Sequence, residues 1–504
     1  MNPTKKLLDI REPVKTASPE NNNKQYRYET INLPLRNTAI ALLHDCHMAS
    51  SLAEGGQFDF SSYEDNPKKR ANQYLLPCLD FLVSQGILEK ADTIYTATEE
   101  GRQLLGQSEI IKTKVEIYEK IVSILEGILN FKEKGTGIAN SLSDIQISLE
   151  QKLDQLDLET FVVPAVSVFY NLSVQQDGND KDKKIGDVLR EKEGIDLKSL
   201  LGSQINDDIK VFYNVLRGMD IVQGEMNCCA LTEKGIAIFK LGGYADATIS
   251  YYKTLQKLHP LLKGVSKYGE DVMRHPKFNA IASNGIIKIK VAPYIVDNIL
   301  GSFAKEYGKK VNTVDFGSGG GDMAIQSSKQ TEYCVGIDIT KGAVEIATSC
   351  VKKENLGNKI SFIHGSILDS DSLKTAKRTI EAKGSNKIIG TINFILHDIG
   401  KEKAKEFLQK YAEVFGDAPL VITETFRVPL EILQAHPDYQ APSFQFFHDI
   451  SGQELFKEQE LRDLLQECGY IINNEKMHSS MPGQDGERYN TIGTFVVQKK
   501  NTNN

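Results

Sequence analysis

The sequence predicts a multidomain protein with mainly α-helical N-terminal units followed by an α/β domain built on parallel strands. Three observations support this fold class. The 504 residues exceed what a single hydrophobic core usually serves. A pattern of helix, short β-prone stretch and helix occurs twice before residue 250. From residue 311 onward, short β-rich runs alternate with helical segments, which is typical of βαβ units.

Composition narrows the class of protein. Hydrophobic residues make up 40% and charged residues 25% of the chain, as in soluble globular proteins. The net charge of -7 makes nucleic acid an unlikely partner. No apolar run approaches the roughly 20 residues that span a bilayer, and the N-terminus lacks the apolar stretch of a secretory signal. We therefore predict a cytoplasmic protein without a membrane partner. Seven scattered cysteines without a C-x-x-C pair indicate reduced thiols.

Two N-terminal segments repeat one pattern. Residues 75–105 and 209–241 each contain an amphipathic helix, a glycine, a β-prone stretch and a helix preceded by threonine. This order is typical of a winged helix. The predicted organisation is a flexible tail (1–30), a first winged-helix-like unit (31–115), a helical connector with a polar linker (116–184), a second winged-helix-like unit with further helices (185–308) and the α/β domain (309–500).

The strongest motif is a glycine loop between a predicted strand and a predicted helix. It begins at Asp315 and contains Gly317, Gly319 and Gly321. Glycines allow a tight turn and a close approach of the backbone to a ligand. Asp338 ends the next strand, where its carboxylate can accept hydrogen bonds from both ribose hydroxyls. The pattern predicts a nucleoside cofactor, and the Asp315 carboxylate can help fix an ammonium group.

This loop resembles the first motif of class I S-adenosylmethionine-dependent methyltransferases. The resemblance implies S-adenosyl-L-methionine as the cofactor and a Rossmann-like, seven-stranded sheet with a reversed last strand over residues 311–500. Two extended runs at the C-terminus predict the terminal hairpin. The resemblance also implies an adenine contact near Ser366, which stands where the family often has Asp, so that Asp369 is the substitute. An NAD-binding domain is the alternative.

The sequence after the fourth strand of this domain contains His397 and Asp398. They resemble the Leu-His-Asp-Trp motif of small-molecule O-methyltransferases, whose histidine is the general base, although Ile399 replaces the tryptophan. A histidine can remove a hydroxyl proton near neutral pH. Glu424, on the following strand, is placed to orient His397 or, alternatively, to bond a loop. The resemblance covers about residues 190–500 and implies a homodimer held by the winged-helix-like region.

A second interpretation adds His448. Two histidines and one carboxylate form a ligand set suited to Fe(II). His397, Asp398 and His448 resemble the iron ligands of 2-oxo acid C-methyltransferases in the same superfamily, which implies iron(II) as a cofactor. In the alternative, His448 lines an apolar pocket and Asp398 caps the helix that begins near Lys401.

The sequence therefore predicts a methyltransferase that acts on a small molecule. C-methylation of a 2-oxo acid at a metal centre is preferred over metal-free O-methylation with His397 as the base. Arg274 and Arg427 are candidates for binding a substrate carboxylate. Two rivals are a winged-helix DNA-binding regulator with a degenerate catalytic domain and a methyltransferase acting on protein or RNA. The candidate recognition helix of the first unit, around residues 72–86, carries almost no positive charge, and that of the second, around residues 207–219, is near neutral, whereas DNA binding depends on phosphate contacts.

Overall fold

The computed structural model describes residues 33–61, 74–112, 185–191, 194–201, 220–239, 257–263, 291–308, 311–383, 387–437, 441–483 and 486–500, with isolated positions between 115 and 287. The chain divides into two compact units. One contains residues 36–123, 243–437 and 441–504, and the other contains 1–35, 124–242 and 438–440. The predicted tail, the connector with its linker, and Arg274 lie outside the described residues.

The first N-terminal repeat contains helices and a small antiparallel sheet. Its elements are α1 (Leu33–Asp45), α2 (Ala49–Ala53), β1 (Gln57–Asp59), α3 (Leu75–Ser84), β2 (Leu88–Ala91), β3 (Ile94–Ala97) and α4 (Glu99–Gly106). Strand β3 pairs with both β1 and β2. The order of α3, hairpin and α4 is the order that the sequence pattern predicts.

The second repeat contains a hairpin and a helix in the same order, β4 (Val222–Gln223), β5 (Ala230–Leu231) and α7 (Glu233–Phe239), and two helices precede it, α5 (Ile185–Glu191) and α6 (Leu197–Leu201). Most of the helix that the sequence predicts before this hairpin lies outside the described residues. Strands β4 and β5 form an antiparallel hairpin directly before α7. The hairpin and the following helix therefore recur in the second compact unit.

A shared helix cap explains the sequence similarity of the repeats. The Thr98 hydroxyl accepts a hydrogen bond from the Gly101 N–H (2.9 Å) and donates to a carbonyl 12 residues earlier (2.8 Å). Thr232 accepts from the Gly235 N–H (3.0 Å) and also donates to a carbonyl 12 residues earlier (2.5 Å). A threonine at this position satisfies an otherwise unpaired N–H at the helix start.

The glycine of each cap is required by close packing. A Cβ added to Gly101 would lie 1.9 Å from the carbonyl oxygen of Ile87, and one added to Gly235 would lie 2.1 Å from that of Ile221. No side chain fits at such distances. The Thr-x-x-Gly pattern therefore reflects one packing arrangement that is used twice.

The C-terminal domain contains a continuous helical stretch over residues 292–306, which leads into a large sheet. The helices are α8 (Leu258–Leu262), α9 (Ala292–Tyr294), the π-helical segment Ile295–Leu300, α10 (Gly301–Glu306), α11 (Asp322–Ser327), α12 (Lys341–Lys353), α13 (Ser370–Glu381), α14 (Leu396–Ile399), α15 (Lys401–Phe415), α16 (Leu430–Ala435), α17 (Ala441–Ile450) and α18 (Glu458–Glu467). The strands are β6 (Val311–Phe316), β7 (Thr331–Asp338), β8 (Ile360–His364), β9 (Ile388–Asn393), β10 (Leu420–Thr425), β11 (Tyr470–Pro482) and β12 (Arg488–Lys499).

The sheet confirms the predicted seven strands with a reversed last strand. Its order is β11-β12-β10-β9-β6-β7-β8. Strands β6 to β10 run parallel, whereas β12 is antiparallel to both of its neighbours. The long β11–β12 pair is the predicted terminal hairpin. No helix in the described part of the chain is long and apolar enough to cross a membrane.

The central strands are buried on both faces, as expected for parallel strands covered by helices. Every residue of β6, β9 and β10 is buried. On one face, Phe316 makes edge contacts with Phe407, Tyr411 and Phe415 of α15, at ring-centroid distances of 5.2, 5.6 and 5.8 Å. The π-helical segment packs on the other face. Packing on both faces therefore holds the central strands, and with them the carboxyl ends of these strands.

Truncating Phe316 tests this core. We expect Phe316→Ala to lower the free energy of unfolding of the C-terminal domain by about 3–5 kcal/mol, because it leaves a cavity among three aromatic rings. Hydrogen exchange of β6 and β9 amides measures the loss. Ile471→Ala, at a position that is 48% exposed, is the control and should change exchange little. Equal exchange in the two variants would contradict this description of the core.

Candidate active site

The sheet gathers the predicted functional residues at one edge. Strands β10, β9, β6 and β7 are parallel neighbours, so their carboxyl ends share an edge. The glycine loop follows β6, and Asp338 ends β7. His397 lies in α14 directly after β9, and Glu424 is the penultimate residue of β10. A crevice at such an edge is the usual ligand position in open α/β sheets.

The glycine loop combines left-handed backbone with an open side. Gly317, Gly319 and Gly321 have φ angles of +70°, +50° and +84°. A Cβ on Gly317 would lie 2.5 Å from the Ile395 side chain, and one on Gly321 would lie 2.8 Å from Phe362. A Cβ on Gly319 would meet nothing within 4 Å. Gly317 and Gly321 therefore allow close packing, while the space beside the Gly319 Cα is open to a ligand.

Two carboxylates frame this loop. Asp338 accepts hydrogen bonds from the N–H groups of Gly319 and Thr340, both at 2.8 Å. Asp315 is buried, and the Thr391 hydroxyl donates to its Oδ1 (2.8 Å). Within the described residues, Asp315 Oδ2 and Ser318 Oγ are buried atoms without a hydrogen-bond partner. Buried polar atoms are normally paired, so each of these two could still accept a hydrogen bond from a ligand.

Burial raises the pKa of the Asp315 carboxyl to about 7, although the Thr391 hydrogen bond opposes this shift. Burial disfavours the ionised form, whereas a nearby positive charge favours it. A cationic ligand in the loop would therefore stabilise the Asp315 carboxylate. The sequence predicts an ammonium group of the cofactor as this cation.

The loop after β8 contains the predicted adenine contacts, Ser366 and Asp369. The Ser366 hydroxyl accepts a hydrogen bond from the Leu368 N–H at 3.1 Å. Asp369 is the N-cap of α13 and accepts from the N–H groups of Asp371 (3.3 Å) and Ser372 (3.0 Å). The Asp369 carboxylate therefore already has a structural role, and its contact with adenine stays a prediction.

His397 and Glu424 form a buried pair. The side chain of His397 is 4% exposed and that of Glu424 is fully buried. His397 Nδ1 lies 2.5 Å from Glu424 Oε1, and the His397 backbone N–H donates to Glu424 Oε2 (3.2 Å). Because the carboxylate holds Nδ1, the other ring nitrogen, Nε2, remains for chemistry or for a metal.

His448 completes a three-residue cluster. Ligand atoms of His397, Asp398 and His448 all lie within 4.8 Å of one another. The two imidazole rings have their centroids 5.0 Å apart. His448 Nδ1 lies 2.6 Å from the Phe444 carbonyl oxygen, so the His448 Nδ1–H donates there and Nε2 is the ligand atom. Both histidines therefore have the outer partners that metal-binding histidines usually have.

The charge around His397 changes its protonation. Burial alone would lower the pKa of His397, but the Glu424 and Asp398 carboxylates outweigh it and raise the pKa to about 10. The imidazole is therefore protonated near pH 7 in the metal-free chain. A bound divalent ion would replace that proton, because a metal ligand must be the neutral imidazole.

The turn between β9 and α14 brings the cluster beside the glycine loop. Phe394 has a φ of +58°, which is costly for a residue with a side chain and often marks functional sites. Its N–H donates to the Thr423 carbonyl oxygen (2.8 Å), which holds this conformation. The next residue, Ile395, lies against Gly317. The His-Asp helix and the glycine loop are therefore in direct contact.

The structure does not support Asp398 as the cap of the helix that begins at Lys401. Glu454 Oε2 accepts from the Lys401 N–H (3.1 Å) instead. The Asp398 side chain lies within α14, with Oδ1 at 3.3 Å from His397 Nε2. Gln453 donates its side-chain N–H to the same Oδ1. No sequence pattern indicates Gln453 or Glu454, because their contacts span more than 50 residues.

Arg427 lies near the cluster but has a partner. Its guanidinium forms a two-point ion pair with Asp449, the residue that follows His448. Burial raises the pKa of the Asp449 carboxyl, and Arg427 opposes the shift. Arg427 therefore anchors α17 in this structure, and its role in substrate binding stays a prediction.

The first N-terminal repeat packs on the helix that carries His448. Helix α3 contacts α16 and α17. Phe81 of α3 stacks on Phe446 of α17 with ring centroids 4.6 Å apart, and both side chains are buried. Phe446 is two residues from His448. The first repeat therefore forms part of the support of the candidate site, which its sequence did not indicate.

No protein-family model matches the chain, and no curated protein matches it in sequence. Its structure is similar to solved O-methyltransferases. The enzyme NcsB1 from neocarzinostatin biosynthesis, solved with S-adenosylmethionine and 2-hydroxy-5-methyl naphthoic acid, is 12% identical with a TM-score of 0.41 over 67% of this chain and 96% of its own. Mitomycin 7-O-methyltransferase MmcR is 12% identical with a TM-score of 0.43, over 71% of this chain and 100% of its own. An O-methyltransferase family protein from Burkholderia thailandensis is 13% identical with a TM-score of 0.41, over 73% of this chain and 99% of its own.

The pairing with Glu424 predicts a shifted titration of His397. In metal-free protein, NMR of ring-labelled histidine should show His397 protonated far above its ordinary pKa of 6.5. Because the folded pKa is raised, the pairing stabilises the fold fully below pH 6.5 and is lost as the pH rises toward 10. Glu424→Gln should lower the pKa, and Glu413→Gln, at an exposed position, should not. An unchanged titration in Glu424→Gln would contradict this assignment.

Proposed function

We propose that the chain is an S-adenosylmethionine-dependent methyltransferase that acts on a small molecule. The observation that carries this proposal is the contact between Gly317 and Ile395. It joins a nucleoside-type glycine loop to a cluster of two histidines and two carboxylates, of which all but Asp398 are buried. Methyl transfer needs a nucleophile aligned with the sulfonium methyl group in a site that excludes water. The two halves of this edge supply a cofactor cradle and a reactive centre.

The cradle residues fit S-adenosylmethionine. Asp338 is positioned at the end of β7 to accept hydrogen bonds from the ribose hydroxyls. Asp315 offers an unpaired buried oxygen for the positive charge of the amino acid portion. Ile339, which is 70% exposed beside Asp338, offers an apolar face for a base. The ribose, the positively charged amino acid portion and the base therefore each have a complementary residue.

The cluster fits a divalent metal ion by its donor chemistry. Two imidazole Nε2 atoms and one carboxylate are the set found in non-haem Fe(II) sites with open positions. The outer partners, Glu424 for His397 and the Phe444 carbonyl for His448, fix both rings in the ligand tautomer. We therefore propose that His397, Asp398 and His448 hold iron(II).

The preferred reaction is C-methylation of a 2-oxo acid. A bound divalent ion would polarise the keto oxygen and lower the cost of removing a proton from the neighbouring carbon. The removed proton passes to a base in solvent, that carbon attacks the sulfonium methyl, the carbon–sulfur bond breaks, and S-adenosylhomocysteine leaves. Glu424 keeps the His397 ring oriented, and the burial of these two side chains limits the access of water from their side of the cluster.

Metal-free O-methylation is the second candidate, and the His397–Glu424 pair favours it. A base oriented by a carboxylate at 2.5 Å is the usual arrangement for removing a hydroxyl proton. This reaction needs the neutral His397 imidazole, which predominates only at alkaline pH because the pKa of His397 is raised to about 10. The deprotonated oxygen then attacks the methyl group, the carbon–sulfur bond breaks, S-adenosylhomocysteine leaves, and His397 retains the proton. Metal content separates the two candidates.

The DNA-binding alternative has less support. Helix α3 contains no Lys or Arg, and most of its side chains are buried. It packs on α16 and α17, so it lacks the exposed basic face that a helix in the major groove needs.

Cofactor binding is tested by removing the Asp338 carboxylate. We expect Asp338→Ala to weaken binding of S-adenosylhomocysteine by roughly 10- to 100-fold, because hydrogen bonds to a charged group contribute about 1.5–3 kcal/mol. Isothermal calorimetry measures the dissociation constant. Glu345→Gln, at an exposed position on α12, is the control and should bind normally. Wild-type protein that does not bind the nucleoside would refute the proposed cofactor.

Metal binding is tested by elemental analysis after anaerobic reconstitution with Fe(II). We expect about one iron per chain in the wild type and little in His448→Ala, because three protein ligands are needed for stable binding. His436→Ala removes a histidine outside the cluster and should keep the iron. A wild type without iron would exclude the metal-dependent reaction and leave O-methylation with His397 as the base.

A further inference from the structure

The segment Gln453–Glu454, between α17 and α18, contacts all three residues of the cluster. The Gln453 backbone N–H donates to the His448 carbonyl oxygen (2.9 Å). The Glu454 backbone N–H donates to the His397 carbonyl oxygen (3.0 Å). The Gln453 side-chain N–H donates to Asp398 Oδ1. Two adjacent residues therefore connect parts of the chain that carry His397, Asp398 and His448.

The Asp398 carboxylate is the member that most needs such support. Its side chain is 34% exposed, whereas His397 and His448 are 4% and 1% exposed. Packing fixes the two rings, but an exposed carboxylate on a four-residue helix can rotate into water. The Gln453 amide holds one oxygen of this carboxylate on the side of His397.

An amide is chemically suited to this role. Its N–H groups donate to a carboxylate without neutralising it, unlike a lysine or an arginine. At its other end, Gln453 Oε1 lies 2.9 Å from Ser451 Oγ, whose single proton also has the Phe447 carbonyl oxygen at 2.6 Å as an acceptor. Because the Asp398 carboxylate only accepts hydrogen bonds, the amide turns its N–H group, and not its oxygen, toward Asp398.

We propose that Gln453 is a positioning residue that orients Asp398 for the metal and thereby sets the metal affinity of the cluster. This inference rests on the proposed metal-dependent function. Outer partners of metal ligands typically contribute 10- to 100-fold to affinity, because they fix the ligand in its binding orientation. The backbone contacts of residues 453 and 454 do not depend on the Gln453 side chain, so its replacement leaves them in place.

The test uses Co(II), whose visible absorption reports both affinity and ligand geometry. Gln453→Ala removes the amide, and Gln453→Glu replaces it with a carboxylate of the same shape that repels Asp398. We expect both variants to weaken Co(II) binding about 10- to 100-fold, with an altered spectrum. Affinity for S-adenosylhomocysteine, measured by calorimetry in the same samples, should not change.

Gln459→Ala is a matched control, because Gln459 also donates to an aspartate, Asp463, at 2.8 Å on an exposed helix. It should bind Co(II) as the wild type does. Wild-type affinity and spectrum in Gln453→Ala would overturn the positioning role while leaving the proposed metal site intact. A wild type that does not bind Co(II) would overturn this inference together with the metal-dependent function.

Discussion

The fully buried carboxylate of Glu424 is the constraint on which the site depends. An unpaired charge at this depth would be strongly destabilising, so the chain must supply donors for it. Those donors are the ring and the backbone N–H of His397, with the Thr425 N–H at 2.8 Å. Satisfying one carboxylate therefore fixes the orientation of α14 relative to β10. That orientation directs His397 Nε2 toward Asp398 and His448.

Further contacts hold the two helices, α14 and α17, that carry the cluster residues. The strained Phe394 turn positions α14, and Ile395 brings it against the glycine loop. Helix α17 is held by the Arg427–Asp449 ion pair and by the stacking of Phe446 on Phe81. The first N-terminal repeat is thus part of one compact unit with the C-terminal domain. Its sequence pattern, which is typical of winged helices, did not indicate this packing role.

Local patterns made much of the fold predictable. The glycine loop, Asp338 and the terminal hairpin follow from strand, turn and helix signals within short windows of sequence. The Thr-x-x-Gly repeat was also visible, and its cause, a helix start packed on a carbonyl, became clear only in the structure. Asp369 shows the limit of such reasoning. Its position predicts a ligand contact, which stays a prediction, and only the structure reveals that its carboxylate also caps α13.

Contacts between distant segments were not predictable. Gln453 meets Asp398 across 55 residues, and a glutamine in a loop has no pattern that indicates such a partner. Arg427 was selected for its position after β10, but its pairing with Asp449 depends on how α17 packs. The His-Asp motif and the later histidine were recognisable as residue types. Only the three-dimensional structure brings their ligand atoms within 4.8 Å.

The most direct test of the account is a crystal structure of the chain grown with S-adenosylhomocysteine and Co(II). We expect the nucleoside along the Gly317–Gly321 loop, with its ribose hydroxyls on Asp338, and Co(II) bound by His397, Asp398 and His448. A nucleoside bound elsewhere would contradict the proposed cofactor site. Co(II) bound outside the cluster, with the nucleoside in the loop, would contradict the metal centre alone.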